Sequence, residues 1–338
     1  MPTIAVDAMG GDHAPDEIVR GVAQVSRESD IQCLLVGDEA RVQSILEGLA
    51  YRPERLTIVH AGSAIGMDED AKEAIRTKRD SSLLVGTALV AAGRADAMVS
   101  AGNTGAAVLA CSKTFKLLRG IRRTALASVF PRRTEDPAQD PLGLLLDVGA
   151  TVRCEAEDLV QFGVMGAAYA KRISKVPRPR VGLLNMGSEP HKGGDVLAAA
   201  YERLTRIPEI NFVGNLEGSD LTKGKADVVV CEGLLGNVVL KLLEGLSDLA
   251  LELASQAYHE KLRYRLGLAM LSSGIRQIRD LTDYEAYGGS PILGFENVFI
   301  KAHGRSTARA IANAVKVAAK AVRDAVPREI AEILPTVK

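Results

Sequence analysis

The sequence predicts a three-layer, doubly wound, mostly parallel α/β sheet, and three observations carry that expectation. Short apolar runs alternate with longer helix-forming segments along the chain. The runs are continuously apolar rather than alternating, which is the pattern of strands buried on both faces. Several of them end in a small, polar, glycine-containing turn, as strands do where they hand over to a helix in such sheets.

The expected strands are Thr3–Ala8, Gln32–Gly37, Leu56–His60, Ala97–Ser100, Ala125–Phe130, Gly143–Asp147, Val181–Met186, Ile210–Val213, Asp227–Cys231 and Val298–Ala302. Each is β-branched or leucine-rich and short, as strands are. Amphipathic or alanine-rich segments lie between them, among them Pro15–Ser29, Ser81–Gly93, Thr104–Leu118, Ala156–Ile173 and Thr307–Asp324. These have the length and periodicity of helices. Pro131–Pro141 is polar and proline-rich, hence irregular. Lys175–Arg180 (KVPRPR) stops a helix and reads as a connection between elements, or as a hinge between halves. No repeat of fixed period and no low-complexity tract is present.

Composition narrows the class. The chain has 338 residues, 47% of them apolar and 25% charged, which is enough to bury a large core. The 42 basic and 42 acidic side chains cancel, against the basic excess of a nucleic-acid binder. Aromatic residues are 4% and tryptophan is absent, so base-stacking platforms are poorly supplied. Cys33, Cys111, Cys154 and Cys231 are far apart and lie in or beside apolar runs, so buried free thiols are expected and not a disulfide framework or zinc site. The first residues, MPTIAVDAMGG, lack the basic and apolar regions of a secretion signal, and no uncharged apolar run reaches ~18 residues. A soluble, cytoplasmic protein is expected.

In open α/β sheets ligands bind beyond the carboxyl ends of the strands. Six turns fall there on the expected strands: Asp7–Pro15, Ser100–Ala106, Asp147–Thr151, Asn185–Gly194, Gly214–Asp220 and Cys231–Asn237. All contain glycine, which lets backbone N–H groups approach a ligand, and several lead into a helix whose N-terminus favours an anion. Such turns also occur for purely structural reasons, but six on one expected rim suggest a cradle for phosphate or another oxyanion. Asp7, Asp12, Asp147 and Glu232 fall on the same expected rim, where they can cap helices, orient side chains or hold cations. Lys192 sits between His191 and Gly193–Gly194 near an expected helix start, where the helix dipole opposes a cation unless an anion binds there; a solvated loop lysine is the alternative.

No Walker motif, GxGxxG after a strand, GxSxG elbow or HExxH is present. The five histidines form no recognisable catalytic or metal set in sequence. The site therefore reads as one that binds an anion and stabilises charge. The motifs call for no cofactor and no metal.

Tyr258–Leu281 differs from the rest. It carries Lys261, Arg263, Arg265, Arg276 and Arg279 against Glu260 and Asp280, around an uncharged stretch from Leu266 to Ile275. It reads as a protruding basic amphipathic helical hairpin with an apolar tip, suited to an anionic membrane surface or an acidic partner, or else to packing. The expected contact residues are Lys261, Arg263, Arg265, Leu268, Leu271 and Arg276.

The blocks DAMGGDHAP, VSAGNTGA, LLDVGA, LLNMGSEPHKG, FVGNLEGSDL, DVVVCEGLLGNVVLK and YEAYGGSPILG with HGRS, running in order from Asp7 to Ser306, resemble the bacterial phosphate acyltransferase family of phospholipid synthesis. Thr151, Ser188 and Glu232 depart from the family's usual residues, so the resemblance assigns positions 151 and 232 no residue-specific role. It implies a homodimeric fold like those of phosphotransacetylases and isopropylmalate dehydrogenases, with 1–338 as one unit and the hairpin at 258–281 within it. It further implies transfer of a long-chain acyl group from acyl-acyl-carrier protein to inorganic phosphate. The acyl phosphate would serve a membrane glycerol-3-phosphate acyltransferase, and the hairpin would touch membrane or carrier protein at a reversibly occupied membrane surface.

On this reading bound phosphate attacks the thioester directly. Lys192 and Asn185 stabilise developing negative charge. Asp7, Gly10, Gly11, Asp12, Ser100, Asn103, Thr104, Gly105, Asp147, Gly149, Gly187 and Asn237 bind phosphate and the acyl group or order the site. Two other readings stay open at this point: a nicotinamide-dependent dehydrogenase of the same fold, and a non-catalytic scaffold for carrier protein at the membrane.

Overall fold

The computed structural model describes residues 1–134, 140–260, 264, 265, 267, 270, 271, 274 and 287–334. The strands are β1 (Thr3–Asp7), β2 (Gln32–Gly37), β3 (Leu56–His60), β4 (Ala97–Ser100), β5 (Ala125–Pro131), β6 (Leu142–Leu146), β7 (Arg180–Leu184), β8 (Asn211–Leu216), β9 (Val228–Val230), β10 (Ser290–Leu293) and β11 (Val298–Lys301). The helices are α1 (Asp16–Glu28), α2 (Glu39–Glu47), α3 (Ala71–Thr77), α4 (Ser82–Ala91), α5 (Thr104–Thr114), α6 (Ala156–Arg172), α7 (Asp195–Thr205), α8 (Gly233–Glu260), α9 (Ala308–Arg323) and α10 (Val326–Ile333).

All eleven strands form one sheet in the order β3-β2-β1-β4-β11-β10-β5-β6-β9-β7-β8. Alternate residues of each central strand serve opposite faces. Ile4 and Val6, Val99, Leu144 and Leu146, Val228 and Val230, and Ile300 join the core beneath α1, α6, α7, α9 and α10. Ala5, Met98, Leu145, Val229 and Phe299 join a second core beneath α3, α4, α5 and α8. This double burial explains why the strands read as unbroken apolar runs. It makes the architecture three-layered, as expected.

The sheet is parallel in two blocks with an antiparallel middle. β3, β2, β1, β4 and β11 run together. β6, β9, β7 and β8 also run together. Between the blocks, β11/β10, β10/β5 and β5/β6 are antiparallel. Three reversals leave the second block antiparallel to the first. The six glycine turns therefore do not share one rim: those after β1 and β4 lie at a first rim, and those after β6, β7, β8 and β9 at a second.

Two elements differ from the sequence expectation. β10 is not among the expected strands; Pro291 and the preceding Gly288–Gly289 interrupt its apolar pattern. The strand tolerates proline because its ladder changes partner midway, with Ser290 and Pro291 on β11 and Ile292 and Leu293 on β5. β8 runs to Leu216, three residues beyond the expected end at Val213, through a register shift opposite Val181–Leu183. The turn expected at Gly214–Asp220 thus begins only at Glu217.

In the expected hairpin, Tyr258–Glu260 close α8. Lys261, Arg263, Leu268 and Arg276 lie outside the described residues. Arg265 stacks over the Tyr258 ring, 5.1 Å from its centroid. Leu271 is exposed. No described helix is long and apolar enough to cross a membrane.

Candidate active site

At the second rim the centre of organisation is Asp147, at the end of β6 and fully buried. Its Oδ1 accepts from the N–H groups of Leu126 (2.9 Å), Gly149 (3.1 Å) and Ala150 (3.0 Å). Its Oδ2 accepts from Thr151 N–H (2.7 Å) and Thr151 Oγ1 (2.9 Å). Thr151 Oγ1 in turn accepts from Gly233 N–H, the first residue of α8, at 3.1 Å. Burial raises the Asp147 carboxyl above its usual range, while these donors oppose the shift. The carboxylate thus builds the DVGAT turn and docks it on α8. Its acceptor capacity is spent on the protein itself.

Asn237 of α8 donates its Nδ2 to Val148 O at 3.1 Å, tying the same two turns together. The α8 start packs so closely on β6 that a Cβ at position 236 would lie 1.8 Å from Asp147 O, which admits only glycine. Asp147 and Asn237 thus hold the turn after β6 against the start of α8.

Lys192 lies in the turn between β7 and α7. Asn185, buried at the end of β7, fixes this turn by donating Nδ2 to Lys192 O (2.9 Å) and accepting Met186 N–H at Oδ1 (2.7 Å). Asn215 of β8 donates Nδ2 to Glu189 O at 2.8 Å and pins the other end. Asn215 was missed in the sequence because the expected turn placed it in a loop. Gly187 is buried, with Lys192 Cγ 3.3 Å from where a Cβ would stand. Lys192 is half-buried, and its Nζ has no ion pair or hydrogen bond among the described residues. Gly194 at the N-cap gives α7 no side-chain cap. The first turn of α7 thus has no side-chain cap, and Lys192, without a side-chain partner among the described residues, belongs to the turn that leads into it; both features favour an anion.

At the first rim three turns meet. Asp7, buried at the end of β1, accepts from Ser100 Oγ (2.7 Å) and Met9 N–H (3.2 Å). Ser100 Oγ accepts from Gly102 N–H at 3.0 Å. Burial raises the Asp7 carboxyl, with the serine hydroxyls opposing it. Asp12 N–H donates to Gly304 O at 2.8 Å, joining the turns after β1 and β11. Gly10 abuts this cluster: a Cβ there would lie 2.4 Å from Asp7 Oδ2 and 2.9 Å from Gly102 N.

Asn103 caps α5. Its Oδ1 accepts from Ala106 N–H (3.0 Å), and its Nδ2 donates to Met67 O (2.9 Å) and Glu69 O (3.2 Å). Its side chain is thus consumed in holding the helix start. The backbone N–H groups of Thr104 and Gly105, in the first turn of α5, are the groups left to meet an anion. Two residues here were missed as site candidates. Lys301, buried at the end of β11, donates Nζ to Ala101 O at 3.2 Å and to Ala302 O. His303 has its pKa lowered by burial and accepts Arg305 N–H at 3.2 Å.

α8 links the rims. It starts on the Asp147 turn and packs across β5 and β6. Two turns later Lys241 is close enough to Lys301 and His303 to lower both of their pKa values.

The fold is a phosphotransacetylase-like α/β architecture. A phosphotransacetylase from Streptococcus pyogenes superposes with a TM-score of 0.65 over 95% of this chain and 94% of its own, at 19% identity. The profile of the family described as Fatty acid synthesis protein matches residues 2–329. A phosphate acyltransferase from Thermoanaerobacter pseudethanolicus is 40% identical over 330 residues, covering 97% of this chain and 96% of the relative. One from Moorella thermoacetica is 43% identical over 319 residues, covering 94% and 92%. The chain belongs to this family of phosphate acyltransferases, so it is a transferase of fatty-acid and phospholipid synthesis.

Proposed function

We propose that the protein moves a long-chain fatty acyl group from acyl-acyl-carrier protein to inorganic phosphate. A phosphate oxygen attacks the thioester carbonyl, the C–O bond forms, the C–S bond breaks, and the carrier leaves as a thiolate. The products are acyl phosphate and free carrier protein. Phosphate is already anionic and a thiolate is a fair leaving group, with a thiol pKa near ~8.5. The tasks left to the protein are positioning and charge stabilisation. Phosphate sits on the start of α5, with Thr104 and Gly105 presenting N–H groups. Lys192 and the N–H groups before α7 stabilise the carbonyl oxyanion.

The observation that carries this reading is the Lys192 ammonium, without a partner among the described residues, in a turn whose backbone is tied down at both ends. The cysteines favour direct attack over an acyl-enzyme. Burial pushes the Cys154 thiol up to about 11 and Cys231 well above its usual value, with Asp147 and Glu232 adding to both shifts. Both shifts work against a thiolate nucleophile at neutral pH. The test is to mix the protein with palmitoyl-acyl-carrier protein and inorganic phosphate and to follow acyl phosphate by mass spectrometry. Phosphate-dependent product is expected; carrier binding with no product would favour the scaffold reading instead.

The acyl phosphate then passes to a membrane glycerol-3-phosphate acyltransferase, so the protein works as a homodimer at an anionic membrane surface. α8 supports the dimer: Leu235, Val238, Leu242, Leu246, Leu249 and Leu253 are exposed at heptad-like spacing, a stripe suited to a second copy. The basic segment with its exposed Leu271 supports the membrane contact. Replacing Leu268 and Leu271 by Glu is expected to abolish co-sedimentation with anionic vesicles while leaving a dimer in sedimentation velocity. Unchanged co-sedimentation would exclude this tip as the contact.

A further inference from the structure

We propose that Lys301 is a positioning residue for the phosphate site at the start of α5, clamping the Ala101–Gly102 peptide and placing a positive charge beneath the site. This rests on the reading of α5 as the phosphate cradle. In strand register Lys301 stands beside Ser100, and Asp7 ends the next strand on the other side of β4. Nζ donates to the carbonyl of the Ala101–Gly102 peptide at 3.2 Å. The N–H of that same peptide donates to Ser100 Oγ at 3.0 Å, and Ser100 Oγ donates to Asp7 at 2.7 Å. One peptide plane is thus held at its oxygen by a cation and at its hydrogen, through a hydroxyl, by a carboxylate. It lies immediately before Asn103, the cap of α5, and so sets the direction of the cradle's N–H groups.

Lys301 and Asp7 form no direct ion pair; the lysine's hydrogen bonds go to carbonyls. Its charge therefore remains available to an anion. Asp7 of β1 and Asp12 in the turn after it favour the charged amine. Burial and Lys241 of α8 disfavour it, and the result is a pKa lowered to about 8. His303 and Arg305 lie on the turn that Lys301 enters, with Glu244 of α8 facing His303. The sign follows. Below about 8 the ammonium is present and phosphate binds; above it the amine is neutral, the charge and part of the clamp are lost, and affinity falls. Above the break inorganic phosphate is almost wholly the dianion, so its own titration does not produce the fall there.

The test is calorimetric titration of inorganic phosphate into the wild type, Lys301→Met and Lys301→Gln between pH 7 and 9.5, with acyl phosphate formation measured in parallel. For the wild type, Kd is expected to rise above the break by at most ~10-fold per pH unit, the limit for a single ionisation, and to level off at the affinity of the uncharged variants. Both variants should bind ~10-fold or more weakly at pH 7, the scale of a lost charge-assisted contact, with a flat profile. The glutamine keeps a donor for Ala101 O, so it tests the charge even where the methionine variant does not fold. A wild-type profile without the break, a glutamine variant with wild-type affinity, or no phosphate binding overturns the proposal. Acyl phosphate formed with a flat profile would overturn this inference alone; phosphate bound with the break but no acyl phosphate formed would overturn the transfer reaction alone.

Discussion

Replacing Lys192 by alanine is expected to lower turnover ~100-fold or more, the scale on which a lost oxyanion donor is felt. Asn185 and Asn215 fix the backbone on either side of Lys192, so the loop need not move when the side chain is removed. The ammonium pairs with nothing among the described residues, so no internal ion pair is broken either. The loss should fall on kcat, because the donor acts most strongly where charge develops on the carbonyl oxygen. Carrier-protein affinity should stay near the wild-type value. Steady-state kinetics against both substrates reads this split. Wild-type turnover in the alanine variant would remove Lys192 from the chemistry and leave its lack of a partner unexplained.

Asp147→Ala is expected to act on the fold before it acts on the reaction. The substitution strips the acceptor from Leu126, Gly149 and Ala150 N–H and from both donors of Thr151. A buried donor left unsatisfied costs about 1–3 kcal/mol, and not all of these can turn to solvent. A total of about 3–5 kcal/mol is expected, a large part of the ~5–15 kcal/mol that holds a typical protein folded. Thr151 would also lose the orientation with which it receives Gly233 N–H, freeing the start of α8. Urea unfolding with the midpoint and slope both measured checks this. A cost below ~1 kcal/mol would show that the DVGAT turn does not depend on its carboxylate.

Much of this fold was legible because double burial writes itself into the strands as unbroken apolar runs. Nearly all of the glycine turns were legible too, since the chain cannot approach itself as it does at Gly10 and Gly236 with a side chain present. Strand direction was not legible. An antiparallel strand buried on both faces, such as β5 or β6, has the same composition as a parallel one, and the missed β10 supplies one of the three reversals. That is why the turns were expected on one rim and occupy two. Side-chain roles were only partly legible. Asn103 looked like a ligand-binding group and is spent as a cap, because an asparagine before a helix serves either end equally well in sequence. Lys301 was passed over because a lysine closing an apolar strand ordinarily reaches solvent. Its burial depends on the neighbouring turns after β1 and β4, which are distant in sequence.

The central claim is that phosphate itself attacks the thioester. Its most direct test is release of free carrier thiol from palmitoyl-acyl-carrier protein, followed on the millisecond-to-minute scale with and without inorganic phosphate. Direct attack predicts no release without phosphate and one acyl phosphate per thiol when it is added. A stoichiometric burst of thiol in the absence of phosphate, with the acyl group retained on the protein, would contradict it.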